Sequence, residues 1–262
     1  MVFLPINNLL LALATPLANH GVAVNHFNLG ARAVQPLGNA VPLRIMPLGA
    51  SITFGQASTH GNGYRAELRT QLTTAGNKVN MVGSRQSGTM ADNDVEGWPG
   101  LRIEQVHQKA LDPKSVSKFR PNVFLINAGT NDAVQNKNVS TAGERMEAMI
   151  TDLYRLSPRA VIVLSTLLMN KGQATEQNVL NINRQFVNLV NKLRNSGRRI
   201  VLADMHNDAG PVWSDLADET HPNDGGYRKM ANIWFAGLLA TSDEGWLQAP
   251  EYVQNLPDSG PN

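Results

Sequence analysis

Short apolar runs alternate with longer amphipathic segments from residue 43 onward, a pattern typical of βαβ units around a parallel sheet. The runs predict strands over residues 43–48, 79–82, 123–126, 160–164 and 200–203. The third, Val123-Phe124-Leu125-Ile126, is apolar at every position. A central strand that helices cover on both faces has this composition, so the pattern predicts an α/β protein with a five-stranded parallel sheet.

Apolar residues recur at helical spacing between these strands. Tyr64, Leu68 and Leu72 predict a helix that ends at Gly76, because glycine is common just after a helix C-terminus. Three more helices are predicted: one that begins at a capping box of Thr141 and Glu144 and stops at Ser157-Pro158, a long one closed by Gly197, and one over roughly 225–239. Helices on both faces of the sheet make a three-layer α/β/α sandwich.

The pattern fits one domain over residues 43–240 in a chain of 262 residues, with a leader over 1–42 and a polar tail over 241–262. The leader contains an apolar run at 9–18 that is too short to span a bilayer and precedes small residues, as in a signal peptide. No Lys or Arg comes before this run, so a disordered extension is the alternative. We expect a secreted protein.

Composition excludes several kinds of functional site. The chain has no cysteine, which excludes disulfides, thiolate metal sites and a cysteine nucleophile. Its net charge is +2 and its charges are mixed along the sequence, so no electrostatic footprint for nucleic acid is visible. Asp92, Asn93 and Asp94 lack the spacing of a known calcium motif, and a solvated loop is expected there. We expect no metal, no cofactor and no membrane partner; the sequence does not give the oligomeric state, and a monomer is the default.

Ser51 follows the first predicted strand, in the segment 49–55 (GASITFG). Reactive groups in an open parallel sheet gather in the loops beyond the carboxyl ends of the strands. The flanking glycines permit unusual backbone angles. A serine hydroxyl is a weak nucleophile that needs an imidazole to take its proton and fixed donors to hold the oxyanion. By itself this turn is weak support for a catalytic serine, since small residues are common at strand ends.

Asp218 and His221 come after the fifth predicted strand, three residues apart. At this spacing the carboxylate can accept a hydrogen bond from one ring nitrogen while the other faces Ser51. An isolated Asp-x-x-His is better explained as a solvated loop with an incidental histidine. The position after a strand favours the catalytic interpretation, because it brings the loop to the same edge of the sheet as Ser51.

Two further segments offer hydrogen-bond donors. Gly129-Thr130-Asn131-Asp132 follows the central strand, where the amide of Asn131 could bind an oxyanion, although these are also ordinary turn residues. The segment 97–103 (GWPGLRI) could supply a backbone N–H near a helix start.

These four segments resemble, in order, the four sequence blocks of the SGNH (GDSL-type) hydrolase superfamily, over nearly everything from Arg44 to about Leu239. The resemblance implies the SGNH hydrolase fold, a sandwich with a flavodoxin-like parallel sheet. It also implies site roles: Ser51 as nucleophile, Asp218 and His221 as the rest of a catalytic triad, and Ser51 N–H, Gly100 N–H and the Asn131 amide as the oxyanion hole. Gly97 competes with Gly100 for the backbone donor.

Within the superfamily, the motifs at 44–49 (RIMPLG), 63–65 (GYR), 82–84 (VGS) and 96–100 (EGWPG) look like carbohydrate esterase family 3, which includes acetyl xylan esterases. The resemblance implies a serine esterase that removes small acyl groups, acetyl above all, from carbohydrate such as acetylated xylan. Trp98 could then contact a sugar ring, and a packing role is the equal alternative.

The first block departs from the family pattern at Ala50, where relatives usually have aspartate between the glycine and the serine. That aspartate is not a triad member, so we predict an active enzyme. Two alternatives stay open: a general short-chain or lipolytic esterase, and a carbohydrate-binding pseudoenzyme, for which Ala50 is the sequence hint.

Overall fold

The apolar runs form a mostly parallel sheet in the computed structural model, which describes residues 35–261. Its strands are β1 (Leu43–Gly49), β2 (Val79–Met81), β3 (Arg85–Gln86), β4 (Asp94–Gly97), β5 (Val123–Asn127), β6 (Val161–Ser165) and β7 (Ile200–Ala203). All five predicted strands are therefore present, within a residue or two of the expected bounds. The apolar run of the predicted leader lies outside the described residues.

The strand order explains how distant segments reach one edge of the sheet. Parallel pairs join β2 to β1, β1 to β5, β5 to β6 and β6 to β7, so the five predicted strands run in the order β2-β1-β5-β6-β7. Two short strands were not predicted: β4 pairs with the last residues of β1, Leu48 and Gly49, and β3 is antiparallel to β4. Both are short and largely polar, so they carry no hydrophobic periodicity.

Eight α-helices occur among residues 35–261: α1 (Ser51–Phe54), α2 (Arg65–Thr74), α3 (Ile103–Ala110), α4 (Val116–Phe119), α5 (Thr130–Val134), α6 (Ala142–Leu156), α7 (Gln173–Asn195) and α8 (Asp224–Asp243). Short 3-10 segments cover Leu37–Ala40, Val139–Thr141 and Trp213–Asp215. No helix in this part of the chain is long and apolar enough to cross a membrane.

The helix ends follow the expected signals with one exception. Gly76 and Gly197 lie just past α2 and α7 with φ of +102° and +80°, the left-handed conformation that glycine adopts most easily. The capping box predicted at Thr141 does not form. Thr141 ends a 3-10 turn with φ −113° and ψ 15°, outside the extended conformation of a cap, and its hydroxyl donates to Asn138 O instead.

Two apolar cores flank the sheet, because successive side chains of a strand point to opposite faces. On β5, Phe124 and Ile126 pack in the core that contains residues of α3, α6 and α7. Val123 and Leu125 pack on the other side, with residues of α2 and α8. The strand is buried at every position, as its composition predicts. The three-layer α/β/α sandwich is confirmed.

The segment predicted as a C-terminal tail, 241–262, begins inside α8 and returns to the sheet. Gly260 N donates to Val79 O at 2.8 Å, and Asn80 Nδ2 donates to Pro257 O at 2.6 Å. Arg44 Nη1 reaches Glu251 O at 2.9 Å. Its described residues thus satisfy backbone and side-chain groups at the amino-terminal ends of β1 and β2, and they belong to the folded domain.

Arg65, in the motif Gly63-Tyr64-Arg65, is fully buried and binds backbone oxygens from two loops. Its Nη2 donates to Gly61 O and Ser87 O at 2.9 Å each and to Phe54 O at 3.3 Å, and Nη1 donates to Asn93 O at 3.2 Å. One guanidinium therefore joins the loop after α1 to the segment between β3 and β4. A planar group with several fixed donors suits this role better than an ammonium.

Arg65→Met should lower the free energy of unfolding by about 3 kcal/mol, because buried carbonyls would lose a charged donor. Arg155→Met is the control, since Arg155 is exposed and, within the described part of the chain, forms a salt bridge only with Asp152 one turn away, so a change within about 0.5 kcal/mol is expected. Urea denaturation followed by circular dichroism measures both. Equal stability of Arg65→Met and wild type would show that the carbonyls find other donors.

Candidate active site

Ser51 begins α1 directly beyond the carboxyl end of β1, and Gly49 at the end of that strand is required for close packing. A Cβ on Gly49 would lie 2.1 Å from Asn127 O and 2.4 Å from Thr53 Oγ1. Gly49 lacks the unusual backbone angle that the sequence suggested, and its role is to let β1 approach β5 and α1. Gly55 does have a left-handed conformation, with φ of +93°, and ends α1. The serine is thus held in a tight strand-to-helix turn.

Asp218 and His221 lie on a compact loop between β7 and α8. Leu216 and Pro222 form an isolated antiparallel bridge, and Ala217 N donates to His221 O at 2.8 Å. The loop closes on the carboxylate, since Thr220 N and His221 N both donate to Asp218 Oδ1 at 2.7 Å. Backbone donors therefore fix the carboxylate that the imidazole binds.

Ser51, His221 and Asp218 form a continuous hydrogen-bonded row. Ser51 Oγ lies 2.9 Å from His221 Nε2, and His221 Nδ1 lies 2.7 Å from Asp218 Oδ2. Ser51 is 6% exposed, and its partner His221 is largely buried while Asp218 faces solvent. The structure thus brings together three residues that sequence reasoning selected from opposite ends of the chain.

Electrostatics keep the carboxyl of Asp218 ionised. Burial by itself would raise its pKa, but the hydrogen bonds from His221 N, Thr220 N and the His221 ring outweigh that effect and hold the pKa below its ordinary value. An ionised carboxylate at Nδ1 keeps the proton on that ring nitrogen. Nε2 is then free to accept a hydrogen bond from the Ser51 hydroxyl.

The segments that carry Asn131 and Gly100 are hydrogen-bonded to each other. Asn131 is in the first turn of α5, and its Nδ2 donates to Leu101 O at 3.0 Å. Gly100 is exposed and has φ of +81°, a Cβ added to it would meet no atom within 4 Å, and Gln135 Nε2 donates to its carbonyl at 3.4 Å. Gly97 differs, because it is buried and its Cβ would lie 2.8 Å from Phe54 N.

Asp132 holds this arrangement together, and sequence reasoning gave it no role. Its side chain is fully buried and accepts from Ile103 N at 3.1 Å and from Arg145 Nη1 at 2.5 Å. Burial raises its pKa, and Arg145 opposes that effect. Asp132 thereby attaches the start of α3, just after the Gly100 loop, to α5. No local pattern marks it, since its cation lies on another helix.

Trp98 is occupied by contacts within the protein. Its Nε1 donates to Glu96 Oε1 at 2.7 Å, and the Arg85 guanidinium and Lys109 Nζ lie 4.5 and 4.4 Å from the ring centre. Glu96 also accepts from the backbone and hydroxyl of Ser84. These contacts favour the packing role that the sequence left open over contact with a sugar ring.

The acidic cluster at 92–94 has protein partners. Asp92 Oδ2 accepts from Arg69 Nε at 2.8 Å and from Met81 N at 3.0 Å, so it is not part of a solvated loop as expected. Burial raises its pKa, and these two donors oppose the effect. Asp94 Oδ1 accepts from Gln86 Nε2 at 3.0 Å. Among residues 35–261 no group of three or more acidic or histidine side chains is arranged to hold a metal ion.

A serine, an imidazole and a carboxylate lie in one hydrogen-bonded row at the carboxyl edge of a parallel sheet in a three-layer sandwich, an arrangement that is typical of hydrolases of the SGNH class. The chain belongs to the GDSL-like lipase/acylhydrolase family, whose family model matches residues 48–229. The match contains every residue of the candidate site.

The individual proteins that this chain resembles include esterases. It is 29% identical over 250 residues to a "Multidomain esterase" of Ruminococcus flavefaciens, with 84% of this chain and 31% of the relative covered. The chain thus spans about a third of the length of that curated relative. A family 3 carbohydrate esterase of Clostridium thermocellum superposes with a TM-score of 0.67 and 26% identity, covering 76% of this chain and 98% of that one.

A second solved structure, a family 3 carbohydrate esterase from Talaromyces cellulolyticus, has a TM-score of 0.66 at 22% identity and covers 77% of this chain and 99% of that chain. At this identity the likeness shows a shared fold. The predicted family resemblance is confirmed by these comparisons.

Gly97→Ala should lower kcat/KM for p-nitrophenyl acetate about tenfold or more, because the new methyl would press on the backbone of α1 and displace Ser51 from His221. Gly143→Ala is the control: Gly143 lies in α6, and the three atoms nearest its added methyl outside the helix backbone all belong to Gln185, at 3.1 Å or more. The control should retain wild-type activity. Wild-type kinetics in Gly97→Ala would mean that β4 moves to accommodate the methyl while α1 and Ser51 stay in place.

Proposed function

We propose that the chain is a serine esterase in which Ser51 is the nucleophile, His221 the general base and Asp218 the residue that orients the imidazole. The observation that carries the proposal is the hydrogen-bonded row, 2.9 Å from Ser51 Oγ to His221 Nε2 and 2.7 Å from His221 Nδ1 to Asp218 Oδ2. Both contacts have the length needed for proton transfer and for holding the base in one tautomer.

Three donors converge on the space beside Ser51 in this proposal. The Ser51 N–H is at the first position of α1, where no intrahelical acceptor is available. One hydrogen of Asn131 Nδ2 is held by Leu101 O, which orients the amide and leaves its other hydrogen for the substrate. Gly100 is preferred to Gly97 as the third donor, because it is exposed whereas Gly97 is packed against α1.

The reaction follows from these positions. His221 Nε2 takes the hydroxyl proton while Ser51 Oγ bonds to the ester carbonyl carbon, and the carbonyl electron pair moves to the oxygen that the donors hold. The ester C–O bond then breaks, and His221 gives its proton to the departing alcohol oxygen. Water next attacks the acyl-serine, loses a proton to His221, and the Ser51 oxygen leaves with that proton as the carboxylic acid is released.

The substrate class is the second part of the proposal: acetyl esters on carbohydrate, such as acetylated xylan. Its support is the 26% identity to a family 3 carbohydrate esterase that is matched over 98% of its length. The motifs at 44–49, 63–65 and 96–100 that suggested this family now have structural roles here, in β1, at Arg65 and in the Glu96–Trp98 contact. Fold alone would not support a substrate.

The purified chain should release acetate from acetylated xylan and hydrolyse p-nitrophenyl acetate faster than longer acyl esters, and Ser51→Ala should do neither. Acetate is measured enzymatically, and circular dichroism verifies that the variant is folded. Near-normal turnover by Ser51→Ala would refute the nucleophile assignment. Hydrolysis of p-nitrophenyl acetate without acetate release from any glycan would refute only the substrate class.

Asn131→Ala should reduce kcat about a hundredfold, because it removes a donor that is strongest in the transition state. Asn178→Ala is the matched control: its amide also binds α5, donating to Ala133 O at 3.0 Å, but it is not one of the proposed oxyanion donors. Steady-state kinetics on p-nitrophenyl acetate should show no comparable loss in the control. An equal loss in both variants would indicate that α5 had merely shifted.

A further inference from the structure

Trp213 differs from the other tryptophans in having a free ring. Of the four tryptophans of the chain, Trp234 is buried, Trp98 is covered by Arg85 and Lys109, and Trp246 lies under the Arg194 guanidinium. Trp213 is 61% exposed, and within residues 35–261 its ring has no stacking or cation contact. Unlike the other three rings, this indole offers a flat face on which a ligand could stack.

A cavity of about 380 Å³ lies against this ring. Its other walls are polar side chains: Asn170, Lys171, Gln173, Glu176 and Gln177. The volume is near the lower end of the range of about 300–1,000 Å³ found for small-molecule sites. The lining therefore combines the indole face and the methylene stems of these side chains with their amide and charged ends, which suits a ligand that has both apolar faces and hydroxyl groups.

Two of the amides in the cavity are unused. Glu176 is committed, since its Oε1 binds His206 Nε2 and its Oε2 accepts from Asn170 N, each at 2.7 Å. The side chains of Gln173 and Gln177 form no hydrogen bond within the described part of the chain. A neutral amide has both donors and acceptors, so two of them can bind hydroxyl groups of either orientation. One lysine and one glutamate balance in charge, which favours a neutral ligand.

The cavity borders the loop that carries Asp218 and His221. Lys171 N donates to Glu219 O at 3.0 Å, and Lys171 Nζ donates to Leu216 O at 3.3 Å. Asn170 Nδ2 donates to Thr220 Oγ1 at 2.9 Å, one residue before the proposed general base. A ligand in the cavity would therefore lie beside the catalytic loop, where a glycan esterified near Ser51 could extend.

We propose that Trp213, Gln173 and Gln177 form a subsite for a pyranose residue of the glycan substrate, next to the residue that carries the ester. The C–H groups on one face of a pyranose would stack on the indole, and its hydroxyls would bind the two amides. The substrate class of this subsite rests on the proposed function. The subsite would add specificity for the glycan through residues outside the Ser51–His221–Asp218 row.

The test compares Trp213→Ala with Tyr252→Ala, a control that removes another exposed aromatic ring, 88% exposed, beside Glu251 at the opposite end of the sheet. Each variant is assayed on acetylated xylo-oligosaccharides and on p-nitrophenyl acetate. Trp213→Ala should lower the ratio of the two kcat/KM values about tenfold, mainly through KM for the oligosaccharide, because only the glycan reaches the subsite. Trp213→Phe should restore part of the ratio, and Tyr252→Ala should leave it unchanged.

Binding provides a readout that does not depend on turnover. Calorimetry with unesterified xylohexaose should show binding to Ser51→Ala and affinity weakened about tenfold in Ser51→Ala/Trp213→Ala. A parallel fall on both esters in Trp213→Ala, or unchanged binding of xylohexaose, would overturn the subsite. If the chain deacetylates no glycan yet binds xylohexaose through Trp213, the proposed substrate fails while the subsite stands.

Discussion

The hydrogen bond between Ser51 and His221 is the contact on which the candidate site depends, and it joins residues 170 positions apart. Neither loop could hold the other in place by itself. Their meeting follows from parallel strands, whose carboxyl ends all open at the same edge of the sheet. β1 ends at Gly49 and β7 ends at Ala203, with β5 and β6 between them. The fully buried core strands therefore set the geometry that the chemistry needs.

The backbone around Ser51 is held by close contacts that are possible only because glycine, which has no side chain, occupies the contact positions. Gly49 lets β1, β5 and α1 approach within contact distance, and Gly97 does the same between β4 and α1. Arg65 then ties the loop that follows α1 to the β3–β4 segment through buried carbonyls. A nucleophile held in this way has little freedom to move away from its base, which favours the preorganised geometry that efficient catalysis requires.

Sequence reasoning reached the five main strands, the long helices and the two segments that meet at the hydrogen-bonded row, because each carries a local signal of periodicity or chemistry. The contacts it missed have no local signal. β4 contains only DVEG and forms by pairing with β1, the tail binds mainly through backbone carbonyls, and Asp132 finds its cation on α6. Gly49 was selected from the sequence because glycine permits unusual backbone angles, whereas the structure shows that it is needed for close packing. A sequence does not distinguish these two reasons for a glycine.

The alanine at position 50 stands where the sequence resemblance implies an aspartate beside the nucleophile, yet the proposed oxyanion donors are held by contacts that do not involve the side chain at position 50. The Asn131 amide donates to Leu101 O, Asp132 accepts from Ile103 N, and the Gln135 amide donates to Gly100 O. Two side chains of α5 and one from the residue after it therefore hold the loop that contains Gly100. Ala50 itself is buried and accepts the hydrogen bond of Phe54 N through its carbonyl, a role that any residue can fill. The pseudoenzyme alternative rested on this substitution alone, and the intact Ser51–His221–Asp218 row together with the contacts that hold the Gly100 loop argues for an enzyme instead.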